Sequence, residues 1–546
     1  METSVDQAKT NAGVARASGV LALGNIVSRV LGMARDVVLA NLFGASRAVD
    51  AYNIALIIPK TLHDLLIAGH VNSAIVPVLS ETAAKDGQKA LYQLLSVLFS
   101  LATVIMAVLI LLLQVFAPVA VRLVSSGADV QTQTLAIHLL RLTSPALLFL
   151  ALFALASGAL YAQRAFTLPA FAGAVFNGAV VIGTLLLAPA EQVVPVFHGY
   201  WIDWTMLRPA NGITAAAFGW LIGAFVQLVL QLPGLRLSSI RFTLNWRNAG
   251  IRRIAKLYAP VMISLVLDTL VRTLSYNFAS QTGTGSISYM NWATTLIQFP
   301  HGLVGTAISV AILPTLSRQA ALLHQDGEQP FKDTLGLGLR LVITLIVPAT
   351  IGLFVMAQPI IGLIFEHGAF TSIDTDITAH ALRLYLIGLP FAALDVLLVY
   401  AFYARQDTLT PAVIGFFSLL LYLGVTLLLL PTLGLFSLMI ADSVKHIAHT
   451  CISAILLHRR LRGMGEQRLA MTTGQTGLAA LTMGAALVLV LPSLQTSIGA
   501  ATLIHEILVV GIGGALAVVI FIGMAILLRI QELRWLYDLV RRRVAQ

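Results

Sequence analysis

Apolar runs long enough to cross a lipid bilayer follow one another along nearly the whole chain, separated only by short polar breaks. A membrane-spanning helix needs about 20 predominantly apolar residues. Inside hydrocarbon no water is available to the backbone N–H and C=O groups, so a spanning chain must be helical or a closed barrel. A barrel would announce itself by short strands of alternating polarity, and none is present. The expected fold class is therefore an all-α integral membrane protein. Composition agrees, with 58% of the 546 residues hydrophobic and 11% charged, which leaves no stretch for an ordinary soluble domain. The single cysteine, Cys451, excludes a disulfide framework and a cysteine metal centre, and is expected to be a small buried residue. Residues 1–14 lack the apolar core of a secretory signal, so the N-terminus is expected to be retained.

Fourteen transmembrane helices are expected, near residues 15–40, 48–80, 90–121, 132–162, 167–188, 211–235, 251–281, 286–317, 333–365, 374–404, 410–431, 434–458, 471–492 and 500–528. The loop charges test this topology independently. With a cytoplasmic N-terminus, 23 of the 34 Lys and Arg residues fall on inner segments and 3 on outer ones. That bias places both termini in the cytoplasm. It also removes nucleic acid as a partner, because the net charge of +10 is spread over inner loops and is not gathered in one patch.

The chain repeats itself. Leu160-Tyr161-Ala162-Gln163-Arg164, followed by Pro169, matches Phe402-Tyr403-Ala404-Arg405-Gln406, followed by Pro411. Residues 74–80 match residues 311–317 at an offset of 237. An offset of about six helices implies two pseudo-symmetric six-helix lobes in the same orientation, with a substrate site between them and two C-terminal helices appended. The expected division is 1–235 for the first lobe, 236–462 for the second, and 463–546 for the last two helices with a basic tail.

Eight basic residues remain inside the spans, where an ionisable group costs at least about 2.5 kcal/mol and should be paired, wet or functional. The first span carries Arg29, Arg35 and Asp36; Arg35 either pairs with its neighbouring acid or snorkels, and Arg29, deeper in the span, is the better functional candidate. Lys60 and Asp64 are spaced to neutralise each other or to meet a substrate, as are Asp268 and Arg272, and His63 lies beside the first pair. Asp395 has no partner nearby in sequence, so it should bind a cation or a proton. Asp442, Lys445 and His446 cluster in the twelfth span, while Arg141, Arg340 and Arg383 near span ends are expected to snorkel. Bases in the first half suit an anionic head group such as a diphosphate, and acids in the second half suit a coupling cation. No Walker loop, HExxH motif or nucleophile elbow is present, so a transporter is expected in place of an enzyme.

The stretch Ser28-Arg29-Val30-Leu31-Gly32 with Ala34-Arg35-Asp36 resembles the first-helix signature of the lipid II flippase family MurJ. Asp50-Ala51-Tyr52 before Pro59, Phe299-Pro300-His301-Gly302-Leu303 through Ser317, and Phe402 to Asp407 with Thr410-Pro411 resemble further stretches of that family. The resemblance implies membership of the multidrug/oligosaccharidyl-lipid/polysaccharide exporter superfamily, with a MATE-like fold, alternating access and a cationic cavity for the lipid II head group. Carried over by position, it gives Arg29, Arg35, Asp36 and Asp50 as substrate-binding residues, and Asp268, Asp395 and Thr410 as a sodium site. The chain departs from the pattern in two places. His63, Asp64 and Ala68 stand where paired arginines and a glutamate are usual, and Thr294 and Thr295 stand where an acid–arginine pair is usual. The diphosphate charge would then shift onto Lys60, His63 and Arg272, and a histidine there would make binding pH-dependent near neutrality.

The expected function is translocation of lipid II, the lipid-linked peptidoglycan precursor, across the bacterial cytoplasmic membrane. The expected protein is a monomer without a cofactor, coupled to Na+ or H+. Flipping of another polyprenyl-diphosphate oligosaccharide, MATE-like cation-coupled export, and a non-transporting scaffold in cell-wall assembly are the alternatives.

Overall fold

The computed structural model of the chain describes residues 2–65, 74–187, 212–322, 325, 327–499 and 502–533, with side chains from residue 19 onward except at 237, 259–264, 267 and 268. The helices are α1 (Glu2–Phe43), α2 (Arg47–His63), α3 (Val76–Lys85), α4 (Gly87–Val124), α5 (Val130–Thr143), α6 (Ala146–Ala162), α7 (Thr167–Leu187), α8 (Ile213–Gln231) and α9 (Ala249–Ala279). They continue as α10 (Ser286–Pro300), α11 (Ala307–Ala321), α12 (Gln329–Val355), α13 (Ala357–Phe365), α14 (Ser372–Ala404), α15 (Leu409–Leu433), α16 (Phe436–Arg460), α17 (Leu469–Ile498) and α18 (Leu503–Leu527). The chain is all-helical among the described residues, as its apolar patterning requires.

Ten helices, or eleven if α5 and α6 count as one span bent by 44°, are long and apolar enough to cross a membrane among the described residues. The expected first, second and seventh spans are helical too, in α1, α2 with α3, and α9, but fall outside that measure. These three carry Arg29, Arg35, Asp36, Lys60, His63, Asp64 and Arg272.

The helices pack into two compact units, residues 1–288 with 368–370, and residues 289–367 with 371–546. In the first unit, α1 and α7 meet backbone to backbone. Gly24 faces Ala170, where an added Cβ would lie 2.2 Å from a carbonyl oxygen; Gly173 faces Ser28, and Gly32 faces Asn177. Small residues four apart let membrane helices approach this closely. Beside them, Trp220 of α8 meets Phe176 of α7 edge to face, over a core of Ala146, Leu150, Val180 and Ala224.

In the second unit, α14 packs on α16, where the Ser443 hydroxyl donates to the Leu384 carbonyl at 2.7 Å and accepts from the Gly388 N–H at 3.1 Å. The α12, α17 and α18 helices share a core that includes Ala479, Met483, Leu487 and Phe521. Arg340 does not snorkel: it is half-buried, 2.6 Å from the Glu532 carboxylate and 2.6 Å from the Gln467 carbonyl. Its charge is therefore satisfied internally by a segment far along the chain. Arg141 is exposed and Arg383 half-buried, and they donate to the carbonyls of Gln114 and Phe354. Cys451 is exposed, contrary to expectation, because apolar sequence neighbours in a membrane protein mark the outside as well as the interior.

The internal repeat has a structural counterpart. After α6 the Ala165 N–H bonds the Leu160 carbonyl at 2.8 Å, and after α14 the Asp407 N–H bonds the Phe402 carbonyl at 3.0 Å. Both are Schellman caps, with the left-handed residue at Arg164 (φ 61) and at its repeat equivalent Gln406 (φ 60). In the second matched pair, π-helical backbone lies at residues 64–65 and at 74–75, which open the first stretch, and at His301–Thr306 before the second. Asp64 and His301, separated by the repeat offset of 237, both lie on these π turns, which are common at functional sites.

Candidate functional site

The ionisable residues of α1, α2 and α9 come together in the first unit. Arg35 donates from Nε and Nη2 to one oxygen of Asp36, at 3.0 and 2.8 Å, and from Nη1 to Asn177 Oδ1 at 3.2 Å. Asn177 in turn donates to the Ser28 carbonyl at 3.0 Å. The pairing of Arg35 with its neighbouring acid, left open by the sequence, is thus observed, and α7 fixes the guanidinium from the other side. Arg29 is half-buried on the same helix.

Lys60, exposed near the end of α2, lies within electrostatic reach of Arg35 and Arg272 as well as Asp36 and Asp64. It forms no ion pair with Asp64 among the described residues. Asp64 instead takes His63 Nδ1 at 3.4 Å and Arg272 Nη1 at 3.4 Å. The backbone between Lys60 and Asp64 keeps its regular i,i+4 bond, so the pairing is decided by the side chains: the Asp64 carboxylate turns to His63 and Arg272. The expected pairing of Asp268 with Arg272 falls on a side chain outside the described residues; Arg272 meets Asp64. The buried Tyr52 hydroxyl and His63 Nε2 have no hydrogen-bond partner among the described residues. Arg35, Lys60 and Arg272 thus stand against Asp36 and Asp64, with unfilled polar atoms nearby. Such a group of cations can receive a diphosphate by charge and by forked hydrogen bonds.

Asp50 is placed differently. Its carboxylate is buried and accepts from the Gly285 N–H at 2.6 Å, the Ser288 N–H at 3.0 Å and the Ser288 hydroxyl at 2.7 Å. It supplies from α2 the cap that α10 lacks in its own sequence. The neighbouring cavity, about 230 Å³, is lined by Asp50, Asp129, Thr132, Ser280 and Gln281 among others.

The expected cation ligands of the second unit have separate partners. Asp395 is not alone: His449 of α16 places Nδ1 2.6 Å from its carboxylate. Thr410 caps α15 through Asp407, whose carboxylate accepts from its N–H at 2.9 Å and its hydroxyl at 2.6 Å, and Arg460 pairs with Asp407 and donates to Thr410. Burial of Asp407 opposes ionisation, but these bonds from Thr410 and Arg460 outweigh it and hold the carboxyl down to about 2. No hydrogen bond joins Asp395 to Thr410 among the described residues. Asp442 forms the expected cluster with Lys445 at 2.6 Å and His446 at 3.7 Å. The hydroxyls of Thr294 and Thr295 turn back onto the carbonyls of Met290 and Asn291.

Two residues escaped the sequence reading, Asn177 and His449. Asn177 stands as the one amide in an otherwise apolar helix, which is a legible signal. His449 was masked by the histidine-rich surroundings of His446 and His458.

A family model described as "Lipid II flippase MurJ" matches residues 39–510, beginning just after Asp36. A "Lipid II flippase MurJ" of Burkholderia cenocepacia is 30% identical over 449 residues, covering 81% of this chain and 82% of that relative. A solved structure titled "Lipid II flippase MurJ, inward closed conformation" superposes with a TM-score of 0.75 at 24% identity, covering 93% of this chain and 98% of the other. An inward-facing multidrug resistance MATE family transporter of the MOP superfamily superposes with a TM-score of 0.65 at 12% identity, covering 80% and 96%, which extends the likeness in fold to MATE transporters. With a family model spanning most of its length and a relative of this identity over four-fifths of it, the chain belongs to the lipid II flippase MurJ family.

Proposed function

We propose that this chain is an integral protein of the bacterial inner membrane that translocates lipid II by alternating access, with both termini in the cytoplasm. The observation that carries the reading is the juxtaposition of Arg35, Lys60 and Arg272 within the first unit, in a chain of this family. In this reading Arg29, Arg35, Lys60 and Arg272 receive the diphosphate, His63 adds a donor, and Asp36 and Asp64 hold the guanidinium groups in place until the phosphate competes for them. Asp50 serves the site by fixing the start of α10. The six-helix lobes, taken as 1–235 and 236–462, would rock about the bound head group while 463–546 attends the lipid tail. The protein acts as a monomer. A coupling cation, Na+ or a proton, is assigned to the second lobe, with Asp395 its first ligand and Asp268 and Thr410 the remaining candidates. The supporting observation is that Asp395 shares a short bond with a histidine, a pair that can change its proton count or open to an ion.

The test is growth rescue in bacteria depleted of their own lipid II flippase. Rescue by the wild-type chain, lost on Arg29→Ala or Arg35→Ala at equal membrane abundance, is expected. A well-inserted wild type that never rescues would move the reading to another polyprenyl-diphosphate oligosaccharide, which the same cationic cluster would suit.

A further inference from the structure

The connector between α8 and α9, with the first two turns of α9, carries a pattern that the site above does not use. Residues 236–256 contain six bases, Arg236, Arg241, Arg247, Arg252, Arg253 and Lys256, and no acid. Arg253 is taken by Glu81 at 2.7 Å. The other five form no ion pair among the described residues. Phe242, Leu244 and Trp246 recur at every second residue and are 68%, 57% and 77% exposed. In an extended chain that spacing puts side chains on a common side, with Arg241 and Thr243 on the other.

The segment does not dangle. The N–H groups of Arg236, Arg241 and Thr243 donate to the hydroxyls of Tyr92 at 3.1 Å, Ser96 at 3.0 Å and Ser100 at 2.8 Å. These three acceptors are buried and four residues apart, so the segment lies along α4 for two turns, about 12 Å. Three of its backbone donors are therefore satisfied by the protein, which tethers the segment beside α4. A segment tethered to α4 at three points, with an exposed apolar row ending in a tryptophan and five bases without an ion pair among the described residues, fits the boundary between acyl chains and phosphates, where aromatic rings and clustered Lys and Arg both concentrate.

We infer that residues 236–256, the connector together with the first two turns of α9, are a docking surface for anionic phospholipid in the leaflet that the loop charges assign to the cytoplasm. Phe242, Leu244 and Trp246 sit among the acyl chains, and Arg236, Arg241, Arg247, Arg252 and Lys256 bind the head-group phosphates. Zwitterionic lipid would cover the apolar row and leave the bases without counter-charge, so the partner is specifically anionic. A protein occupant would need a matching acidic and apolar strip, and becomes an outcome of the test.

The full-length protein is reconstituted in vesicles of phosphatidylcholine and phosphatidylglycerol in which one lipid or the other carries brominated acyl chains. Quenching of Trp246 is read as the difference between wild type and Trp246→Phe. The expected result is stronger quenching by brominated phosphatidylglycerol than by brominated phosphatidylcholine at equal mole fraction. High salt should weaken the preference. The triple variant Arg241→Gln, Arg247→Gln, Arg252→Gln should lower it by about tenfold or more while the overall quenching persists. Equal quenching by the two lipids in the wild type would overturn the assignment of charge selection. Absence of quenching by either would show that the strip faces water or another protein, and would overturn it entirely. Persistence of overall quenching in the triple variant separates a lost preference from a misfolded connector.

Discussion

Asp50→Ala is predicted to damage the fold and leave head-group recognition intact. The buried carboxylate satisfies two backbone N–H groups, those of Gly285 and Ser288, and one hydroxyl. Removing it leaves the two N–H groups without an acceptor, at about 1–3 kcal/mol each. The hydroxyl can rotate onto another acceptor, so it adds little. The adjoining polar cavity of about 230 Å³ is large enough to admit water, which would partly satisfy the exposed donors. The net cost is therefore placed in the lower part of the range, about 2–4 kcal/mol, against about 0.5–2 kcal/mol for loss of an ordinary N-cap. Ser288→Ala, which removes the hydroxyl and keeps the N–H bond, should cost about 1 kcal/mol. The assay is reversible denaturation in mixed detergent micelles, with lipid II binding measured beside it on the folded fraction. Unchanged unfolding midpoints together with lost binding would refute the reasoning, since Asp50 would then act on the substrate.

Three further outcomes are expected. A double-mutant cycle of Asn177→Ala with Arg35→Ala should give a coupling of about 0.6–1.7 kcal/mol, as for other polar contacts between membrane helices, and strict additivity would mean that the 3.2 Å bond contributes nothing. His449→Ala should cost about 3 kcal/mol by leaving Asp395 a nearly buried, unpartnered carboxylate, and Asp395→Asn combined with His449→Gln should recover most of it; an equal loss in the double variant would speak against a neutralising pair. Asp407 is depressed to about 2, so it binds protons less readily folded than unfolded. Its stabilising contribution is then complete above the unfolded value of about 4 and is lost as pH falls towards the folded one. The difference in unfolding midpoint between wild type and Asp407→Asn should be constant above about pH 5 and shrink on acidification, and a difference that stays level down to about pH 2.5 would contradict the assignment.

The apolar runs and the repeat were legible because both are properties of consecutive residues. The Tyr-Ala motif at 161–162 and 403–404 marks two matching Schellman caps, so the sequence similarity reports a shared local geometry. Charge placement on α1, α2 and α9 was legible as well, since each base stands out against an apolar background. Pairing was less so. The i,i+4 rule linked Lys60 to Asp64, but Asp64 meets His63 beside it and Arg272 of another helix. Asp50, Arg340 and Asp395 found partners 235, 192 and 54 residues away, which no local rule reaches. The capping role of Asp50 was invisible because the α10 N-terminus takes its acceptor from another helix.

The central claim is that the cations of the first unit carry the diphosphate of lipid II across the membrane. The most direct measurement is translocation of labelled lipid II in sealed vesicles holding the purified chain, comparing wild type with Lys60→Ala and Arg272→Ala. The account predicts protein-dependent translocation in the wild type and a fall of at least about tenfold in each variant, the weight of one charge-assisted hydrogen bond at about 1.5–3 kcal/mol. Wild-type rates retained by both variants, in stably folded protein, would contradict it.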